Sequence, residues 1–269
     1  MCGRCCHDLR LPLAVDEARA WLARGGDVQL FCDAIVWPQE PPAGDGLAQH
    51  RRRRSFAASS GALPVRVSVT LVAAFDGACP HLRADMACGA YDERPRVCRI
   101  YPAEVNPFVT LDPAAKACPA DAWSEAKPPL MREGRLVDAQ TAALVARSRE
   151  ADERDRIAKS YLCALLGYDA AALANEGFAV YAPPRARLAA ALQAAQQASE
   201  PLDNPEPRSP YPWRFVTNRA TTLATLQSVG ATASLVAQPQ DAEAVPAYLG
   251  FFAAETGAAA AAAASSSSP

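Results

Sequence analysis

Histidine is scarce in this chain. Three in 269 residues leave little imidazole for general base chemistry, and two of them, His7 and His81, sit beside cysteines. No stretch approaches the run of about 20 apolar residues that a membrane-spanning helix needs. The amino terminus lacks the basic-then-apolar order of a secretory signal, so the expected location is cytoplasmic. A glycine-rich phosphate loop, a G-x-S-x-G elbow and the C-x3-C-x2-C arrangement of radical S-adenosylmethionine enzymes are all missing. The usual sequence signs of phosphoryl transfer, serine hydrolysis and radical chemistry go with them. A dominant charge is also lacking: 27 Lys and Arg stand against 29 Asp and Glu. That balance argues against nucleic acid and against an anionic membrane as partner. The basic run Arg51 to Arg54 lies in a Pro/Gly-rich stretch and reads as a solvated face.

Cysteine, by contrast, is abundant and clustered. Eight of the nine, Cys2, Cys5, Cys6, Cys32, Cys79, Cys88, Cys98 and Cys118, fall in the first 118 residues; only Cys163 lies beyond. In a reducing compartment such clustering points to metal or redox chemistry rather than to disulfides, and an odd total agrees. Soft, anionic thiolates suit zinc and iron–sulfur clusters. In "CGRCC", Gly3 permits the tight turn by which Cys2 and Cys5 can face one metal. Neighbouring side chains of an extended backbone point to opposite sides, so Cys5 and Cys6 suit different metals or different irons. Seven clustered cysteines divide unevenly, which suggests two nearby sites, with His7, His81 or Cys32 completing one. Cys32 and Cys163 lie in apolar surroundings, where a free cysteine behaves as a small hydrophobe. Asp85, Asp92 and Glu93 lie among the cysteines as charged loop residues.

The rest of the chain divides by pattern. "AVDEARAWLARGGD" predicts a helix capped by Asp16 and ended at Gly25. Strands are expected at Val28 to Trp37 and over "LPVRVSVTLVAAF", where Val65, Val67, Val69 and Leu71 alternate with outward Arg66, Ser68 and Thr70. Pro95 opens a short helix with Cys98 in its first turn, where the dipole and Arg94, Arg96 and Arg99 would favour thiolate. From Val137 to Gly167, Leu144, Ile157, Tyr161 and Leu165 recur at helical spacing. Further helices are read at "PPRARLAAALQAAQQ", at "NRATTLATLQSVG" with an Asn cap, and at "DAEAVPAYLGFF".

The expected fold is α+β: a small cysteine-rich metal-binding module with short strands, residues 1–125, packed against C-terminal helices. A helical region spans 135–200 and a short helical segment 213–256, with a Pro-rich linker at 201–212 between them. An Ala/Ser tail, 257–269, reads as disordered.

"CGRCC", then "CPHL", then "CGAYDERPRVCRIYP" and a later "KACP" resemble the YkgJ-type cysteine-cluster family, described as a zinc- or iron-chelating domain. The resemblance covers about residues 2 to 123 and implies metal ligands at Cys2, Cys5, Cys6, Cys79, Cys88, Cys98 and Cys118. The pattern's leading cysteine would fall ahead of Met1, so Cys32, His7, His81 or an upstream cysteine would supply the eighth ligand. A related cysteine-rich region occurs in flagellin lysine N-methylases. The leading reading is a metal-binding protein holding zinc, iron or an iron–sulfur cluster. The alternatives are a redox or methyltransferase-like enzyme and a protein-interaction module whose helical half meets a protein partner.

Overall fold

The computed structural model describes residues 3–199, 208–236 and 246–255. Cys2, residues 201–207 of the expected linker and the expected 257–269 tail lie outside them. In chain order the elements are β1 (Arg10–Leu13), α1 (Val15–Ala23), β2 (Gln29–Val36), α2 (Gly46–Arg53), β3 (Ser55–Ser60), β4 (Leu63–Ala74) and α3 (Arg96–Ile100). They continue with β5 (Met131–Arg132), β6 (Arg135–Leu136), α4 (Ala139–Leu166), β7 (Ala170–Leu173), β8 (Gly177–Tyr181), α5 (Arg185–Ser199), β9 (Arg214–Thr217), α6 (Ala220–Ser228), β10 (Ala233–Leu235) and β11 (Ala247–Gly250). The described residues thus form a mixed α/β protein with six α-helices and short strands, in the class the sequence implied. Among the described residues, no helix is long and apolar enough to cross a membrane.

Two compact units divide the chain: residues 1–28 with 71–154, and residues 29–70 with 155–269. Residues 29–70, part of the expected 1–125 module, group with the second unit. In the first unit, β1 lies antiparallel to the end of β4, pairing Leu13 with Leu71. A small apolar core of Ile100, Ala103, Leu144 and Val145 anchors the loops that follow α3. Helix α1 begins at Val15, one residue before the expected cap: the Glu17 carboxylate accepts the Ala14 N–H (3.0 Å), and Asp16 sits in the first turn. The chain leaves this helix through Gly25, at a φ of 85° that favours glycine.

The second unit holds a mixed sheet in the order β4-β2-β7-β9-β10. β3 adds to β4, and β8 joins β2 to β11. β2, β7, β9 and β10 run parallel, with α6 crossing between β9 and β10 in the usual βαβ manner. Residues 208–213 extend alongside β3, with Ser209 donating to Ala57 and Trp213 to Ser59. Three expectations change here. The "PAYLGFF" stretch, read as helical, puts Ala247–Gly250 into strand β11 antiparallel to β8, because an open strand edge offers its backbone partners. The helix at 220–228 starts from Arg219 rather than from an Asn cap; Thr217 Oγ1 accepts the Arg219 N–H and Glu255 accepts that of Thr221. In α4 the buried stripe is Ala158, Leu162 and Leu166, while Tyr161 and Leu165 are exposed, so the apolar face is turned from the one expected.

Arg66 also departs from the alternation of β4. It is 2% exposed and its guanidinium donates to the Ser55 hydroxyl (2.8 Å) and to the carbonyls of Ser55 (2.7 Å) and Arg52 (2.9 Å). A cation is tolerated there because its donors close on fixed acceptors at the turn from α2 into β3. The neighbouring basic run is explained in the same place: His50 and Arg51 to Arg53 form the last turn of α2, where positive charge suits the helix dipole. Arg66→Met strands two buried carbonyls and should cost about 2–4 kcal/mol, read as a lowered urea midpoint. In β2, burial raises the Asp33 carboxyl to about 7, against the pull of Arg54 and Arg51. The folded form then holds a proton that the unfolded chain has lost, so this group's contribution to stability falls as pH rises from about 4 to about 7. Asp33→Asn should flatten the pH–stability profile over that window.

Candidate metal centre

Backbone pairing brings the two cysteine stretches together in the first unit. Gly3 takes a φ of 59°, and the Cys6 N–H closes a turn on its carbonyl (2.9 Å). A Cβ at Gly3 would meet only the movable end of the Met86 side chain, at 2.6 Å, so it is the left-handed backbone that favours glycine here. The chain then runs beside the end of β4: His7 pairs with Ala78, the Asp8 N–H donates to Gly77 (2.8 Å), and the Cys79 N–H donates to the Cys6 carbonyl (2.8 Å). Cys6 and Cys79, 73 positions apart in sequence, are thereby neighbours. A turn closed by Leu82 N–H on Cys79 and a bridge between Leu82 and Cys88 bring in the next thiol.

Cys98 enters from α3, with its N–H on the Pro95 carbonyl (3.0 Å). The helix is where the sequence put it, but the thiol is not lowered toward thiolate. Burial pushes Cys98 up to about 12, and Cys79, Cys6, Cys5 and Cys88 push in the same direction. The arginines do not offset this. Arg96 turns to Asp16 (3.0 Å) and Glu17 (3.3 Å), Arg94 stacks over the Tyr91 ring at 3.6 Å, and Arg99 is exposed. Neighbouring cysteines from three chain segments therefore act on one sulfur, and both Cys5 and Cys6 are among them. Burial likewise raises Cys79.

Cys118 approaches beside Tyr101. The Tyr101 hydroxyl accepts the Ala117 N–H at 2.7 Å and hydrogen-bonds the Cys118 side chain, with Cys5 close enough to act on the phenol. All eight described cysteines are free thiols. Among the described residues, no three His, Cys, Asp or Glu side chains meet at a point fit for one metal ion. The donors fit zinc or iron in kind, being several soft sulfurs sharing one partly buried region, and each half-buried.

The remaining candidates go elsewhere. Cys32 lies in β2 of the second unit, fully buried and hydrogen-bonded to Cys163, which with its charge and the burial raises the Cys32 thiol. His7 is exposed, whereas His81 meets the Trp21 ring edge-on at 5.0 Å and is lowered by burial and by Arg24. Glu93 pairs with Arg24 (3.1 Å), Asp85 accepts the Ala87 N–H (3.0 Å), and Asp92 is exposed. Two contributors escaped the sequence reading, Tyr101 and Glu17. Glu17 carries more than a cap: its second oxygen accepts the Arg96 N–H at 2.6 Å, fastening α1 to the start of the helix that presents Cys98. Glu17→Ala should destabilise the first unit by about 1–3 kcal/mol, read as a lower melting temperature of metal-free protein.

No curated protein and no solved structure matched this chain. A family model described as "CxxCxxCC: Putative zinc- or iron-chelating domain" matched residues 1–119. That span contains Cys2, Cys5, Cys6, Cys79, Cys88, Cys98 and Cys118 and ends one residue after the last of them. Residues 1–119 of this chain are thus similar to the CxxCxxCC domain, which is described as zinc- or iron-chelating.

Proposed function

We propose that the protein binds zinc or iron through thiolates of Cys2, Cys5, Cys6, Cys79, Cys88, Cys98 and Cys118, in the reducing environment of the cytoplasm. The observation that carries this reading is the grouping of Cys5, Cys6, Cys79 and Cys88 about Cys98, as free thiols drawn from distant parts of the sequence. Apolar packing does not account for the grouping, since these loops contribute little to the buried core beyond Ile100 and Ala103. A cation that stabilises several thiolates at once does account for it, and its binding free energy then becomes folding free energy for the loops. When bound, zinc supplies a structural tether or a Lewis acid, and an iron–sulfur cluster supplies one-electron redox chemistry.

The chain's own residues order the donors. Gly3 shapes the first turn, the Cys6–Cys79 backbone bond sets the two residues side by side, Glu17 fixes α3, and Tyr101 holds Cys118. Cys163, packed in the second unit, has no part in the set.

Anaerobic purification followed by elemental analysis for iron and zinc, with acid-labile sulfide, tests the reading directly. Cys98→Ser should lose most of the bound metal and destabilise the first unit, while Cys163→Ser should retain the wild-type metal content. Equal metal content in the two variants would refute the ligand assignment.

A further inference from the structure

Strand β11 lies along the outer edge of β8 in the second unit, and the chain continues from it as a strap to Glu255. Little apolar burial holds this strap. Leu249, Phe251 and Phe252 remain 43%, 53% and 54% exposed. Its attachments are polar instead. Ala247–Gly250 pair with β8, the Phe251 N–H donates to the Glu176 carbonyl (2.8 Å), and the Glu255 N–H donates to the Asn218 carbonyl (3.1 Å). The Glu255 carboxylate completes the clasp. It accepts the Thr221 N–H (2.9 Å) and hydroxyl (2.5 Å) at the start of α6, together with the Arg219 Nε–H (3.1 Å).

The surface beneath is shaped to receive an extended chain. A Cβ at Gly177 would come within 2.4 Å of the Leu249 carbonyl oxygen, a backbone atom, so the end of β8 carries no side chain where a strand must approach. Next to it, Phe178 meets Phe251 edge-on at 5.4 Å and packs on Phe31, also at 5.4 Å, which makes an aromatic step under the strap. Lifted away, the strap would bare the backbone edge of β8 and the Phe178 ring, and would leave the Thr221 and Arg219 donors without their carboxylate. An open strand edge accepts another strand, and the positive end of a helix beside a guanidinium accepts a carboxylate.

We propose that residues 247–255 are an inhibitory strap. They occupy, within the chain, a seat on β8 and α6 that otherwise takes an extended peptide of a partner protein, with an aromatic residue and, four positions later, a carboxylate. The strap shows what the seat reads: backbone pairing along β8, Phe251 on Phe178, and Glu255 on Thr221 and Arg219. A free anion would fill only the α6 end, and an apolar strand only the β8 edge. Being tethered, the strap competes at a high effective concentration, so a partner gains the seat by displacing it. A clasp that depends on one carboxylate and a short run of backbone bonds, with its large side chains turned to solvent, is one that such a competitor can replace. The proposal is independent of the metal reading, since strap, β8 and α6 all belong to the second unit.

Fluorescence anisotropy of a labelled, C-terminally amidated peptide AYLGFFAAE, titrated with the full-length protein, tests the proposal. Glu255→Ala, which loosens the strap, should bind the peptide at least about tenfold more tightly than the wild type does. Replacing the peptide's Glu by Gln should weaken binding about tenfold. Gly177→Ala added to Glu255→Ala should abolish it. Equal affinity of wild type and Glu255→Ala, equal binding of the two peptides, or binding that survives Gly177→Ala overturns the proposal. So does a protein that takes no peptide but forms a dimer by light scattering, which would assign the seat to the strap of a second copy. Hydrogen exchange on the same samples reports whether Glu255→Ala keeps β7 and β9 protected. If it does not, the wild type decides: its amides at 247–252 should exchange at least about tenfold faster than those of β7 and β9, and equal protection overturns the proposal.

Discussion

Sulfurs of like charge resist being gathered. Each added thiolate makes the next harder to ionise, and Cys98 carries that burden from four neighbours as well as from burial. Backbone hydrogen bonds at Cys6–Cys79 and Leu82–Cys79 hold the approach in place despite it. The arginines of the "DERPRVCR" block, which might have relieved it, are committed to carboxylates or an aromatic ring, or lie exposed. A cation among the sulfurs would supply that relief, which is the ground for proposing a metal here. Without one, the thiols remain protonated and the loops rest on a few turns.

The second unit solves a different problem by ordinary means. Its sheet buries Leu30, Phe56, Val67, Tyr181 and Phe215, and two of its buried charged groups are well partnered: Arg66 on carbonyls, and Glu176 accepting from Thr217 and Thr222. Tyr168 and Tyr181 stack at 3.9 Å, and the Tyr181 hydroxyl bonds to the backbone of Ala170. Nothing in that set calls for a cofactor. The proposed ligands lie where regular structure is thinnest, as is common for binding residues placed on loops by a scaffold.

Much of this was legible in the sequence because it depended on spacing. The cysteine clusters, the Gly3 turn, the Pro95 opening of α3 and the alternation of Val65, Val67, Val69 and Leu71 are local patterns, and local patterns survive folding. What escaped depended on partners far along the chain. Arg66 read as outward because nothing local reveals acceptors at Arg52 and Ser55 closing on its guanidinium. Ala247–Gly250 read as helical because its strand exists only through pairing with β8. The charge state expected for Cys98 was reversed for the same reason: the helix and the flanking arginines were visible, but the carboxylates that capture Arg96, and the four other thiols, come from elsewhere. Tyr101 was quoted within its motif, yet its bond to Cys118 links residues 17 apart across a loop with no periodicity.

The concealed pair Cys32 and Cys163 has a practical consequence. Both are shut away from solvent, at 0% and 1% exposure, while the six other described cysteines are within partial reach of it. An alkylating reagent applied to the native molecule should therefore divide the sulfurs into two populations by accessibility alone. The slow population would mark opening of the sheet, and the fast one would mark occupancy of the amino-terminal loops, so a single labelling time course followed by mass spectrometry separates unfolding from ligand release.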